Sequence, residues 1–141
     1  MRTFYVFSIN DNFYDLYRNN ESELFFIIKD LSKLSSDDLV YATNIYYQIN
    51  KNIDKFYIDK RIFIDLHKEL FYKKNKDVHI YNDSYSNEVS FMEIKNNYIK
   101  IKTNKYYCTF FKILDPFNKN YFVCDFNNND YFFLSSIKTL V

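Results

Sequence analysis

The chain of 141 residues contains no glycine and a single proline. Backbone at positive φ must then be carried by asparagine or aspartate, the next most tolerant residues, and turns are expected at Asn-Asn and Asn-Asp pairs. P-loops, dinucleotide fingerprints and glycine-built oxyanion loops in their standard forms are excluded by the same fact. Lys, Asn, Ile, Tyr and Phe are in excess, the mark of AT-rich coding, so the many asparagines require no special function.

At 48% apolar and 22% aromatic residues the chain has material for a real core, and 1–141 reads as one compact domain. With 19 Lys and Arg against 18 Asp and Glu, the net charge of +1 gives no bulk attraction to nucleic acid or an anionic membrane. Asn10, Asp11 and Asp15 break the first apolar run, which argues against a signal peptide. No run approaches the ~18 apolar residues needed to span a bilayer. Cys108 and Cys124 sit inside apolar segments without metal-type spacing, which suits reduced thiols, and a cytoplasmic location is expected.

Arg2 to Ile9 is apolar on both faces, with Phe4 and Val6 on one and Tyr5, Phe7 and Ile9 on the other, the pattern of a strand central in a sheet. Asn10 or Asp11 can cap a short helix from about Asn12 to Arg18, on which Phe13 and Tyr17 share one face. Beyond Asn19-Asn20, a helix from Glu21 to Leu34 carries Leu24, Phe25, Ile28 and Leu31 at core-facing spacing. The capping cluster Ser35-Ser36-Asp37-Asp38 opens a further helix through Leu39, Ile45, Tyr46 and Ile49. Tyr57 to Tyr72 offers another, with Ile58, Ile62, Leu66 and Leu70 at every fourth position.

After Lys73-Lys74-Asn75-Lys76, read as a solvated loop, the period changes. Asp77 to Tyr81, Glu88 to Lys95 and Tyr98 to Thr103 are extended, the last two joined across Asn96-Asn97 as a hairpin. Ser90, Met92 and Ile94 share a face, and Ile99 and Ile101 alternate with Lys100 and Lys102, so one face is buried and the other wet. Tyr106 to Leu114 fits helix or strand equally and stops at Asp115-Pro116. Tyr121 to Phe126 reads as a buried strand, Asn127 to Asp130 as a turn, and Tyr131 to Leu134 as a returning strand. The expected class is α+β, with helices on one face of a mainly antiparallel sheet.

An enzyme should show a nucleophile with a base, a metal cluster or a phosphate loop. His67 and His79 are the only histidines, have no Cys or second His at ligand spacing, and read as structural. Asp125, Asn127 and Asn129 imitate the first ligands of a calcium loop, but Asp130 stands where its glycine belongs and Ser136 where its bidentate glutamate belongs. Neither an enzyme nor a cofactor or small-molecule substrate is expected. What remains is a protein partner, because 15 Tyr and 16 Phe cannot all be buried and such rings dominate interface anchors. The alternative is a nucleic-acid-binding module using the Lys100 and Lys102 strand face with neighbouring aromatics.

Arg2 with Phe4-Tyr5, Phe7 and Ile9, followed by Phe13, Tyr17 and Glu21, resembles the N-terminal signature of the sporulation inhibitor of replication family, SirA. The likeness continues through SFMEIKNNYIKIKT from Ser90 to Thr103 and FVCDFNNNDYFFLSSIK from Phe122 to Lys138, where Asp125-Phe126-Asn127 and Tyr131 match. The resemblance implies a small cytosolic bacterial protein, not an enzyme, that binds the N-terminal domain of the replication initiator DnaA and restrains initiation. It also implies that the contact is made from the first helix by an F-x-x-x-Y pair, whose positions here are Phe13 and Tyr17. Tyr14 and Arg18 flank them as periphery. No direct nucleic acid and no membrane contact is expected. Where the family has glycines around the first helix and an aromatic-Leu-Asn-Pro ending, this chain has Asn19-Asn20 and Phe133-Leu134-Ser135-Ser136, so departures are expected there.

Overall fold

The computed structural model describes residues 1–33 and 48–140. Seven strands, β1 (Arg2–Ser8), β2 (Tyr72–Asn75), β3 (Val78–Asp83), β4 (Glu88–Ile94), β5 (Ile99–Thr103), β6 (Tyr121–Asp125) and β7 (Asp130–Phe133), form one sheet in the order β2-β3-β4-β5-β1-β6-β7. Each neighbouring pair is antiparallel. The helices are α1 (Asp11–Tyr17), α2 (Glu21–Ser32), α3 (Lys55–Leu66) and α4 (Thr109–Leu114), with 3-10 turns at Asp115–Phe117 and Leu134–Leu140. The helix expected from Ser35 lies outside the described residues except at its end, where Gln48 and Ile49 are helical.

β1 is the central strand its two apolar faces require, set between β5 and β6 with Phe4 opposite Ile101 and Val6 opposite Val123. Phe4 and Val6 enter a core with Ile58, Ile62 and Leu66 of α3 and Phe110, Phe111 and Leu114 of α4. Phe7 and Ile9 enter a second core on the other side with Leu24, Phe25 and Ile28 of α2. The α+β class and the antiparallel sheet are as expected. The helices, expected on one face, divide between two, because a strand apolar on both sides must be covered on both.

The β4–β5 hairpin has the expected faces and turn, with Lys95 N–H donating to Tyr98 O at 2.9 Å across Asn96-Asn97. Positive φ falls on Asn87 and Asn129, as the missing glycines demand, and also on Lys76. Two expectations are corrected. The helix expected over Tyr57 to Tyr72 ends at Leu66, Leu70 is 89% exposed in a turn, and the lysines at 73 and 74 belong to edge strand β2 rather than a loop. Lysines on an edge discourage pairing with another sheet. The ambiguous Tyr106 to Leu114 segment becomes α4, whose start is tied to β4: the Glu88 carboxylate accepts from Thr109 N (3.0 Å), Thr109 Oγ1 (2.8 Å) and Ser90 Oγ (2.7 Å).

Candidate functional site

The join between β1 and α1 is tied from several directions. Ile9 bridges Asn50, Lys51 N donates to Ser8 O at 2.7 Å, and Asn10 N donates to Ile49 O at 2.8 Å. Asn120, just before β6, donates through Nδ2 to Ile9 O (3.0 Å) and Asp11 Oδ1 (2.7 Å). Asn10 is extended and caps α1, its Oδ1 accepting from Phe13 N at 2.9 Å, while its Nδ2 donates to Gln48 O. A short helix with little intrinsic stability is held at a set angle by these contacts.

None of the seven residues of α1 is fully buried. Tyr14 is its inward anchor, packing edge-on against Phe133 of β7 with ring centroids 5.1 Å apart, under Lys119 Nζ at 5.6 Å from the ring. Phe13 and Tyr17 are half-buried and stack on each other at 6.0 Å with 9° between planes. Both pack against the second core and stay partly exposed. Leu16 projects beside them, 66% exposed, and Arg18 at the helix end is exposed. The structure therefore brings Phe13 and Tyr17 together as a stacked pair, the platform of α1, sets Tyr14 beside them against Phe133 with the same partial burial, and leaves Arg18 exposed at the helix end.

Leu16 was not among the sequence candidates. Its signal lies in the spacing, since a residue three after Phe13 and one before Tyr17 falls on the same side of a helix. The platform is apolar, aromatic and pre-set, features that anchor a groove on a protein partner.

The Lys100 and Lys102 strand face is less suited to nucleic acid. These lysines line a shallow groove with Val78, Phe91, Met92 and Glu93, and Glu93 lies directly opposite Lys100. Glu93 also binds Lys95 at 2.6 Å, so a carboxylate sits in the path a phosphate backbone would take.

A second polar constellation was invisible in the sequence because its members are far apart. Tyr72 Oη lies 2.7 Å from His79 Nδ1, His79 Nε2 lies 2.6 Å from Asp59 Oδ1, and Lys55 Nζ lies 2.6 Å from Asp59 Oδ2. The row has the order of an acid–base relay, but His79 is wholly buried and Tyr72 nearly so. Burial, and then the charge of Asp59, push the Tyr72 hydroxyl up to about 12, far from a working nucleophile. The row ties α3 to β2 and β3. Among the described residues no group of three or more His, Cys, Asp or Glu could hold a metal ion, and no helix is long and apolar enough to cross a membrane.

No curated protein matches the chain. The family model described as sporulation inhibitor of replication protein SirA matches residues 2–138.

Proposed function

The chain belongs to the SirA family of sporulation inhibitors of replication, and from that premise we propose that it acts in the cytoplasm by occupying the N-terminal domain of the initiator DnaA with the outer side of α1. Phe13 and Tyr17 enter a groove on that domain together, Leu16 adds contact area beside them, and Tyr14 and Arg18 border the contact. No reaction and no cofactor is involved.

The observation that carries this reading is the stacked, half-open Phe13–Tyr17 pair on a helix that buries no residue completely. Core aromatics of a helix are normally covered by the rest of the fold, whereas this pair is supported on one side only. The rings are already held by stacking on each other and by the second core, so docking would cost little further side-chain entropy. Titration of the cognate DnaA N-terminal domain with Phe13→Ala and Tyr17→Ala tests it. Each substitution should weaken binding by more than ~1 kcal/mol, about fivefold or more, with the fold intact. Unchanged affinity in both variants overturns the site, and absence of binding by the native chain overturns the function.

A further inference from the structure

The sheet is covered unequally. On the side of α1 and α2, the second core draws buried residues from β1, β6 and β7 but none from β2, β3 or β4. Val78, Ile80 and Phe91, which face that side, are only part-buried. The register lays a row across four strands: Lys73 of β2 stands beside Ile80 of β3, Ile80 beside Phe91 of β4, and Phe91 beside Lys102 of β5. Neighbours across a ladder share a face, so an apolar centre is bracketed by two exposed lysines.

The charge on this half of the face is of one sign. Among the residues of β2 to β5 that face this side, Glu93, in the next row, is the one carboxylate, and Lys95 already holds it at 2.6 Å. Lys73, Lys100 and Lys102 have no ion pair or side-chain hydrogen bond among the described residues. The groove that Val78, Phe91, Lys100 and Lys102 help to line holds roughly 190 Å³, below the ~300–1,000 Å³ of a site that encloses a whole small molecule. It has room for a side chain.

We propose that this row binds an extended acidic peptide in which two carboxylates flank an apolar residue at alternate positions. Lys73 and Lys102 are three strand spacings, about 14 Å, apart, and about four residues of extended chain cover the same distance. Side chains one, three and five of such a chain point the same way. The outer two then meet Lys73 and Lys102, and the middle one settles between Ile80 and Phe91. A phosphate strand fits less well, because its charges recur at every nucleotide whereas only the ends of the row are cationic and Phe91 is its single ring. α1 stands on the same side of the sheet, so one partner can engage both surfaces.

Titration of the full, nitrogen-15-labelled chain with the end-blocked peptide Glu-Ser-Leu-Ser-Glu tests the row through its amide shifts. Saturable shifts should centre on Ile80, Phe91 and Lys102, with an affinity that falls as salt rises from about 50 to about 300 mM. The double variant Lys73→Glu, Lys102→Glu, changed only at exposed positions, should bind the peptide at least about fivefold more weakly. It should instead take the reversed peptide Lys-Ser-Leu-Ser-Lys, which a misfolded variant would not. Phe13→Ala should bind the acidic peptide as the native chain does, whatever its effect on the DnaA domain. Absence of saturable shifts at this row, equal affinity for Glu-Glu-Ser-Leu-Ser of the same composition, or undiminished binding by the double variant overturns the proposal. Tighter binding of oligo(dT) through the same amides assigns the row to nucleic acid and overturns it as well.

Discussion

His79 is held at both ring nitrogens. Nε2–H donates to Asp59, and Nδ1 accepts from the Tyr72 hydroxyl when the ring is neutral or donates to its oxygen when the ring is charged, so burial and not the hydrogen-bond pattern sets the protonation state. Burial lowers the His79 pKa from 6.5, against the opposing pull of Asp59. A folded pKa below the unfolded one favours the neutral form in the native state. Stability is therefore full above about pH 6.5 and declines as pH falls through the folded value. Thermal melts between pH 8 and pH 5 should show a falling midpoint. His79→Ala should flatten that slope and cost about 3 kcal/mol, because Tyr72 and one oxygen of Asp59 lose their buried partner. The thiols are inert for a related reason: burial pushes Cys108 up to about 11 and Cys124 well above its usual 9.0. A thiol reagent at pH 8 should label neither until the chain unfolds, and labelling of the native state at the rate of a free thiol would contradict this placement.

Elements were legible where their determinants are local. β1 declares itself by two apolar faces, the β4–β5 hairpin by alternation around Asn96-Asn97, and α1 by the Asn10 cap. α4 was not legible, because its first N–H, that of Thr109, is satisfied by Glu88, some twenty residues upstream, rather than by the side chain of Cys108 at its own cap position. The end of α3 was misplaced because Leu70 continues the apolar period by spacing alone while standing in solvent. The same logic applies to the site. Phe13 and Tyr17 could be paired by spacing, whereas their support by the second core depends on strands far along the chain. Asn10→Ala should remove the cap of α1 and cost about 1 kcal/mol in denaturant unfolding. It should also weaken binding to the DnaA domain, since the platform depends on that helix. Full stability in this variant would mean that the ties from Asn120 and from the Asn10 backbone N–H to Ile49 suffice alone.

At the scale of the molecule, the sheet is a partition. β1 sends Phe4 and Val6 to one core and Phe7 and Ile9 to the other, so α1 and α3 present their outer sides in opposite directions. The two ends of the chain are joined where Arg2 of β1 binds Asp125 at 2.9 Å and Asp130 at 2.9 Å, around the turn into β7. Burial alone would raise the Asp125 pKa, but hydrogen bonds from Asn128 and Arg2 outweigh it and hold the carboxylate below 3.8. The stability this contributes is present above about pH 4 and is lost as pH falls through the folded value. A stability curve from pH 8 to pH 2 should therefore begin to fall below about pH 6.5 through His79 and fall further below about pH 4 through Asp125. The central claim is that the α1 platform is what a replication inhibitor of this family offers its partner. It is tested most directly by titrating the cognate DnaA N-terminal domain with the native chain and with the Phe13→Ala, Tyr17→Ala double variant. The account predicts a saturable complex with the native chain and, for a double variant that melts as the native chain does, a loss of at least ~2 kcal/mol, about thirtyfold in affinity. Equal affinity of the two proteins would contradict it.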